Sequence, residues 1–327
     1  MRVIKFSLPE SQKNRLLLFK FLSMKSKKRP LFKRIKYDML YRLVKTLLFL
    51  SSITPRRLML RHCGFLGGLA YYLVGDARKK TRKHLQLVYG DRFSEEEIQK
   101  MAKRVFVMIG KNAADIFRSV NMFELEDFKK VVQVSGEEHL DEAMKSKQGV
   151  IILTAHVGAF ELVGTYLALM DYKPQIIGTQ QKDPRLNQLM MENRRRRGAE
   201  AIERGKDTLK VVRNLKSGGL VAMLIDQDTK VKSVFVDFMG MPASTPIGAA
   251  LFALRTGAKV IPIGIHLDEN HVQQLRIYPE VKIHVSGNEE EDLWINTQAL
   301  SKATEKLIEA DPTQWVWMHE RWKTQPA

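Results

Sequence analysis

Cysteine is almost missing from this chain, which has one, Cys63, among its 327 residues. A single cysteine cannot form an intramolecular disulfide, and the eight histidines are scattered without the spacing of a zinc site. The sequence therefore offers neither a disulfide framework nor a zinc centre. We predict a reduced protein that faces the cytoplasm.

The motifs of several large enzyme classes are missing as well. The chain has no Gly-x-Ser-x-Gly, no His-Glu-x-x-His and no Walker phosphate-binding loop. The glycine cluster at Gly64, Gly67 and Gly68 has the wrong spacing for a dinucleotide-binding loop. Any active site must therefore be built from other residues.

Long apolar runs are absent, whereas positive charge is abundant. The apolar stretches at residues 47–53 and 63–75 are shorter than the roughly 20 residues that span a bilayer. The net charge is +18, and residues 1–45 contain 14 lysines and arginines but only two acidic residues, with leucine and phenylalanine between them. Such a mixture is typical of a segment that lies on anionic lipid, where each cation contributes about 1 kcal/mol. We predict that residues 1–76 form a basic, amphipathic region that associates with a membrane surface.

Two alternatives compete with this interpretation of the N-terminal region. Residues 63–75 are also compatible with a buried helix of the main domain, and the basic arm with a tail that binds nucleic acid. The tail is the weaker alternative, because leucine and phenylalanine outnumber the stacking aromatics and no nucleic-acid-binding module follows. We therefore predict no nucleic-acid partner.

The rest of the chain, residues 77–327, has the pattern of an α/β domain. Ser94 and Glu97 fit a helix capping box, and Asp183 followed by Pro184 fits the start of another helix. Strands are predicted at residues 149–154, 175–179, 199–202, 220–225, 234–238 and 259–267, and further helices from Thr245-Pro246 to 256 and over 289–310. This alternation predicts a mostly parallel sheet flanked by helices, with active groups at the carboxyl ends of strands.

One such end carries the best candidate for chemistry. The apolar strand at 149–154 is followed by His156, and Glu161 lies five residues later, where helical spacing begins. A glutamate in the first helical turn is able to hold the far nitrogen of the imidazole and leave the nearer nitrogen free to accept a proton. The alternative is a hydrogen-bonded structural histidine beside an ordinary capping glutamate.

Two other polar groups are candidates for the same site. An arginine-rich run, residues 194–197, closes a predicted helix, and Asp226 and Asp228 follow a predicted strand. An arginine that faces a pocket suits phosphate, although these arginines also suit a solvated helix end. The two aspartates suit loop capping, and nearby carboxylates also suit Mg²⁺.

Several blocks together resemble the bacterial lipid A biosynthesis acyltransferases, which transfer lauroyl or myristoyl groups. These blocks are His-x4-Glu at 156 and 161, Gly-Leu-Val-Ala-Met-Leu-Ile-Asp-Gln-Asp at 219–228, Val-Phe-Val-Asp-Phe-Met-Gly at 234–240, and Gln-Trp-Val-Trp-Met-His-Glu-Arg-Trp-Lys at 314–323. The likeness spans roughly residues 60–323. The chain lacks the Phe-Pro-Glu-Gly type of phosphate motif found in the glycerol-phosphate acyltransferases, which share a His-x4-Asp box.

This resemblance implies an enzyme that moves an acyl chain from acyl carrier protein to a hydroxyl of a lipid A precursor at the cytoplasmic face of the inner membrane. It implies that His156 is the general base and Glu161 its partner. Arg194 or Arg196 would match the arginine of the family, and Asp226 or Asp228 its downstream acidic residue. Backbone amides at the start of the following helix would stabilise the oxyanion, and no metal ion or cofactor is implied.

Alternative functions stay open at this stage. One is an acyltransferase that uses acyl-CoA and acts on another glycolipid or a lysophospholipid. A non-enzymatic alternative is a basic scaffold at the membrane surface. A second basic block, residues 77–83, suits an acidic carrier protein. For Trp315, Trp317 and Trp322, packing in the core is favoured over anchoring at an interface for at least two of the three.

Overall fold

The computed structural model describes residues 31–205 and 207–326, so predictions that concern residues 1–30 lie outside the described part of the chain. Contacts divide the chain into two units, with the division after Lys45. Described residues 31–45 are helical and carry exposed apolar side chains, among them Phe32 and Met39. The larger unit begins at Thr46. The predicted membrane association of residues 1–76 and the boundary placed after them stay predictions.

The first helices of the described part of the chain are α1 (Leu31–Ile53), α2 (Arg56–Leu73), α3 (Gly75–Tyr89) and α4 (Glu95–Arg118). The predicted capping box begins α4, because the Ser94 hydroxyl accepts from the Glu97 amide and the Glu97 carboxylate accepts from the Ser94 amide. Helices α2 and α4 pack closely, since a Cβ on Gly67 would lie 2.2 Å from the Phe106 carbonyl oxygen. None of the helices in the described ranges is long and apolar enough to cross a bilayer.

The centre of the larger unit is a seven-stranded sheet in the order β1-β9-β8-β2-β5-β3-β4. Its strands are β1 (Val132–Ser135), β2 (Val150–Thr154), β3 (Gln175–Gly178), β4 (Glu200–Glu203), β5 (Leu220–Leu224), β8 (Lys259–Leu267) and β9 (Gln273–Ile277). All neighbouring strands pair in parallel except β8 and β9, which are antiparallel. A separate antiparallel hairpin consists of β6 (Ser233–Phe238) and β7 (Met241–Pro246).

Helices cover both faces of this sheet. They are α5 (Leu125–Lys129), α6 (Glu137–Lys145), α7 (Glu161–Leu169), α8 (Pro184–Arg195), α9 (Thr208–Lys216), α10 (Gly248–Thr256) and α11 (Glu289–Glu309). Side chains of β2 alternate between two cores, with Ile152 in one and Ile151 and Leu153 in the other. Because β2 is buried on both faces, its sequence is continuously apolar. The predicted α/β class with a mostly parallel sheet is confirmed.

Three strands differ from the prediction. Thr245-Pro246 ends strand β7, and the helix predicted to start there begins at Gly248. Strands β1 and β9 were not predicted, and they form the edge that runs against the parallel strands. Both are short strands of polar residues alternating with apolar ones, so they lack the continuous apolar run that identifies β2.

Candidate active site

The candidate site lies where two adjacent parallel strands end. Strands β2 and β5 are in register, with Thr154 beside Leu224, so the segments that follow them leave the sheet side by side. His156 and Asp226 each lie two residues beyond these strand ends and meet there. The loop that carries His156 turns sharply at Gly158, whose φ is +60° and whose missing Cβ would lie 2.0 Å from the Ile265 carbonyl oxygen.

Asp226 is buried and holds His156 by two hydrogen bonds. Its Oδ1 lies 2.8 Å from the imidazole Nδ1, and its Oδ2 accepts from the His156 amide, also at 2.8 Å. Oδ2 accepts a third hydrogen bond from the indole nitrogen of Trp315 at 2.8 Å. Because a carboxylate only accepts, Nδ1 carries the proton and Nε2 is left as the basic nitrogen.

The electrostatics of this pair favour a charged imidazole. Burial lowers the pKa of His156, but the charge and hydrogen bond of Asp226 act in the opposite direction and prevail, so the pKa lies above its usual value. Burial raises the pKa of Asp226, and the interactions with His156 and Trp315 more than offset this and bring the pKa to about 2. In the described part of the chain no hydrogen bond engages His156 Nε2, and a quarter of the side chain is exposed. This nitrogen is free to exchange a proton with a substrate.

Glu161 does not hold the imidazole, which corrects the sequence-based expectation. It is the first residue of α7, and its Oε1 accepts from Arg194 Nη2 at 2.6 Å while Oε2 accepts from Nε at 3.3 Å. The prediction considered only residues close in sequence, whereas the parallel register brings Asp226 to the imidazole across 70 residues. Glu161 and Arg194 instead form a bidentate ion pair beside His156.

A cavity of about 350 Å³ opens in front of this group. The polar part of its lining includes His156, Glu161 and Arg194, and we call this part the polar end. The apolar part of its wall includes Phe160, Val163, Ile176, Ile177, Met190, Ala222 and Leu224. A cavity that joins a basic nitrogen to an apolar wall suits a substrate with a polar reacting group and a hydrocarbon chain.

The cavity also contains polar groups that lack partners. The hydroxyls of Thr154 and Thr229 are buried, and neither makes a hydrogen bond within the residues described. Arg204 lines the same cavity and forms no ion pair with any described residue, although its guanidinium is partly buried. Burial lowers the pKa of Arg204, and the Asp226 charge partly opposes this effect. The unpaired Arg204 side chain is therefore available to an anionic group of a bound molecule.

Two of the predicted site residues lie away from the cavity. Arg196 is exposed at the end of α8 and is not part of the cavity wall. Asp228 is buried, but its carboxylate accepts from the Thr324 amide at 3.0 Å and does not reach the cavity. Of the arginine run and the aspartate pair, the structure therefore brings only Arg194 and Asp226 to the His156 group.

Residues 315–324, which we call the C-terminal segment, support the site through hydrogen bonds and backbone pairing. The Trp315 indole donates a hydrogen bond to Asp226, and the Trp315 backbone pairs with Val157 in the His156 loop. The Thr324 amide donates to the Asp228 carboxylate. Trp315, Trp317 and Trp322 are all buried, which confirms the predicted core role. Sequence reasoning missed the contribution of Trp315 and of Arg204, because neither is near His156 in sequence and a buried tryptophan by itself indicates only packing.

Comparison with known proteins shows the family of the chain. The family model "Bacterial lipid A biosynthesis acyltransferase" matches residues 25–324. The lipid A biosynthesis lauroyltransferase of Escherichia coli (strain K12) is 26% identical over 273 residues, which cover 81% of this chain and 84% of the relative. The palmitoleoyltransferase of the same organism is 26% identical over 80% of this chain and 83% of its own length. A phosphatidylinositol mannoside acyltransferase of Mycobacterium tuberculosis (strain CDC 1551 / Oshkosh) is 25% identical over 58% of this chain and 59% of its own length. The chain belongs to the bacterial lipid A biosynthesis acyltransferase family.

Proposed function

We propose that this enzyme transfers a fatty acyl group from the thioester of an acyl carrier protein to a hydroxyl of a lipid A precursor, with His156 as general base. The observation that carries the proposal is the His156–Asp226 pair, in which Nδ1 is held by the carboxylate and the imidazole lines a partly apolar cavity. The apolar wall suits the acyl chain, and the polar end suits the two reacting groups.

The reaction needs one proton to move in each of two steps. His156 Nε2 takes the proton of the acceptor hydroxyl while the hydroxyl oxygen attacks the thioester carbonyl carbon and forms a tetrahedral intermediate. The carbon–sulfur bond then breaks, an ester remains on the acceptor, and the imidazolium returns its proton to the departing thiolate. The proton balance closes without a metal ion or a cofactor, and we propose that neither is used.

Asp226 supports both steps by stabilising the imidazolium that exists between them. Its two hydrogen bonds to His156 fix the orientation of the ring, and its charge raises the pKa of His156 above the usual value despite the opposing effect of burial. The negative charge that develops on the carbonyl oxygen is assigned to backbone amides at the start of α7, where the helix dipole is positive. The amide of Gly158 is already used, since it donates to the Gln314 carbonyl oxygen.

The Glu161–Arg194 pair and Arg204 receive different roles. Because Glu161 already neutralises Arg194, this pair shapes the polar end of the cavity. Arg204 forms no ion pair with the described residues and therefore suits an anionic group of the acceptor. Lipid A precursors supply such groups as sugar phosphates, which an arginine binds through two parallel hydrogen bonds.

The donor and the membrane are assigned to basic surfaces. Helix α3 presents Arg78, Lys79, Arg82 and Lys83 along one groove, and it contacts the C-terminal segment through His84, whose Nδ1 lies 2.8 Å from the Trp317 carbonyl oxygen. We assign this face to the acidic acyl carrier protein, and the basic region at residues 1–76 to the cytoplasmic face of the inner membrane. Charge reversal of the four α3 residues should raise the KM for the carrier without changing membrane recovery.

A second candidate acceptor is a phosphatidylinositol mannoside, with acyl-CoA as donor. The mycobacterial relative carries that acceptor in its name, although the match covers 59% of the relative's length. This alternative uses the same base and the same cavity. A panel of both acceptors with both donors separates the two candidates.

The decisive experiment measures acyl transfer by purified wild-type protein and by His156→Ala. The expected product is a tetra-acylated lipid A precursor whose mass has increased by one acyl chain, and His156→Ala should not form it. His62→Ala is the matched control, because this exposed histidine on α2 lies outside the cavity. Transfer by His156→Ala at the wild-type rate would refute the assignment of the base, and wild-type transfer only to the mannoside would refute the assignment of the acceptor.

A further inference from the structure

A second cavity lies on the outer side of the α2–α4 pair and shares no residue with the cavity in front of His156. We call it the α2–α4 groove, and its volume is about 630 Å³. The two helices approach closely at glycines, since a Cβ on Gly110 would lie 2.1 Å from the Cys63 carbonyl oxygen. Gly64 and Gly68 line the groove, so its floor is formed by small residues and by Val107.

The groove carries four cations and no carboxylate. Arg57, Arg61, Lys103 and Lys111 line it, and none of them forms an ion pair with the part of the chain that is described. Arg56, which is next to Arg57 in sequence, differs because Asp115 holds it at 2.6 Å. Uncompensated cations that converge on one concave surface create a positive potential that favours an anion.

His271 adds an unpaired polar atom to the same groove. Its Nδ1 is buried and has no hydrogen-bond partner among the residues described. Burial lowers the pKa of His271, and the charges of Lys111, Arg56 and Arg57 lower it further while Asp268 opposes them. His271 and the four unpaired cations line one groove, and such a lining suits a bound group that is anionic.

The rim of the groove is apolar and exposed. Phe65 and Leu69 line it and are exposed to 70% and 42%, and Leu73 on the same helix is exposed to 72%. Lys103 lies over the ring of Tyr72, with its Nζ 5.3 Å from the ring centroid. Large apolar side chains that surround a cationic groove are complementary to a molecule with both an anionic group and hydrocarbon chains.

We propose that the α2–α4 groove binds the headgroup of an anionic phospholipid, with the phosphate among Arg57, Arg61 and Lys111 and the acyl chains along Phe65 and Leu69. Residues 1–30 are an unsuitable occupant because they are rich in lysine and arginine. An acidic protein would neutralise the cations but would not cover the exposed apolar rim with apolar groups. Binding here would fix one face of the enzyme on the bilayer, and the proposal does not depend on the identity of the acyl acceptor.

The test uses the full chain and dihexanoyl phosphatidylglycerol, a lipid that is monomeric below its micellar concentration. Titration calorimetry should show one saturable site, and dihexanoyl phosphatidylcholine should bind more weakly because its headgroup has no net charge. Each cation near an anionic headgroup contributes about fivefold to the affinity. The double variant Arg61→Gln/Lys111→Gln should therefore weaken binding of the anionic lipid about 10- to 30-fold. Arg213→Gln/Lys216→Gln, which removes two exposed cations from α9, should leave it unchanged.

Three results would overturn the proposal. They are equal lipid binding by the groove variant and the wild type, competition by inorganic phosphate as effective as by the lipid, and loss of acyl carrier protein binding in the groove variant with lipid binding intact. Acyl transfer in detergent should be the same in both double variants, which shows that the fold is preserved. Loss of lipid binding with intact transfer separates this proposal from the proposed catalytic function. The variant Phe65→Ser/Leu69→Ser keeps all four cations and should still bind the lipid more weakly than the wild type does; equal binding would contradict the role of the apolar rim.

Discussion

Replacing Asp226 by asparagine should inactivate the enzyme by forcing the wrong tautomer on His156. The carboxylate accepts three hydrogen bonds, one at Oδ1 from the imidazole and two at Oδ2 from the His156 amide and the Trp315 indole. Asparagine has a single side-chain oxygen. At the Oδ2 position this oxygen accepts hydrogen bonds from two donors, whereas at the Oδ1 position it would accept from only one. Its NH₂ group then faces Nδ1, which must become an acceptor, and the proton moves to Nε2.

A protonated Nε2 is unable to act as a base, so we expect kcat to fall about 10²- to 10⁴-fold. The remaining activity should also show a changed pH profile. In the wild type kcat/KM should decrease as the pH falls through the pKa of His156, which lies above its usual value of about 6.5. Without the Asp226 charge, burial and the Arg204 charge lower the pKa of His156, and only the weaker effect of the Glu161 charge opposes them, so the acidic limb should move to lower pH.

Asp228→Asn is the matched control for this variant. It makes the same chemical change in a buried carboxylate two residues away, which contacts Thr324 but not His156. Steady-state acyl transfer over a range of pH, with thermal unfolding of both variants, separates catalysis from folding. The reasoning is refuted if Asp226→Asn keeps kcat within threefold of the wild type, or if Asp228→Asn loses as much activity at unchanged unfolding temperature.

Three further predictions concern neighbouring residues. Glu161→Gln leaves the Arg194 guanidinium without its counter-charge, so the free energy of unfolding measured in urea should decrease by about 1–3 kcal/mol. A fall in kcat equal to that of Asp226→Asn would instead indicate that Glu161 is the partner of the base. Arg204→Gln should raise the KM for a phosphorylated acceptor at least tenfold and leave the KM for its dephosphorylated form unchanged, and equal effects on both would contradict the assigned role. Gly158→Ala places a methyl group 2.0 Å from a carbonyl oxygen at φ +60°, so transfer activity should fall more than tenfold at a lower unfolding temperature, and wild-type values in both assays would count against a rigid loop.

Most of the parallel sheet was predictable because its strands have a simple sequence signal. Strands such as β2 and β8 are buried on both faces, and a short continuous apolar run identifies them. Strand β7 was mistaken for the start of a helix because a threonine followed by proline suits both a helix start and the end of a hairpin strand. The choice depends on pairing with β6, which is a tertiary contact.

The site was predictable in its members but not in its pairings. His156 was recognised because it follows a buried strand, and the same rule marked Asp226 at the end of β5. The acid that bonds the imidazole is decided by which strands are neighbours in the sheet. Local sequence patterns do not reveal strand order. The rule that adjacent parallel strands end at one edge would have favoured Asp226 if the pairing of β2 with β5 had been known.

The hydrogen bond from Trp315 to Asp226 also sets an order of events during biosynthesis. A ribosome adds Asp226 to the chain 89 residues before it adds Trp315, so every strand of the sheet and the His156 loop have been synthesised before the C-terminal segment can dock. Until then the carboxylate lacks one of its three donors, and the loop lacks its pairing with residue 315. Competence to consume acyl thioesters should therefore arise late, after docking of this segment. A nascent chain stalled before residue 315 should be folded in large part and yet inert.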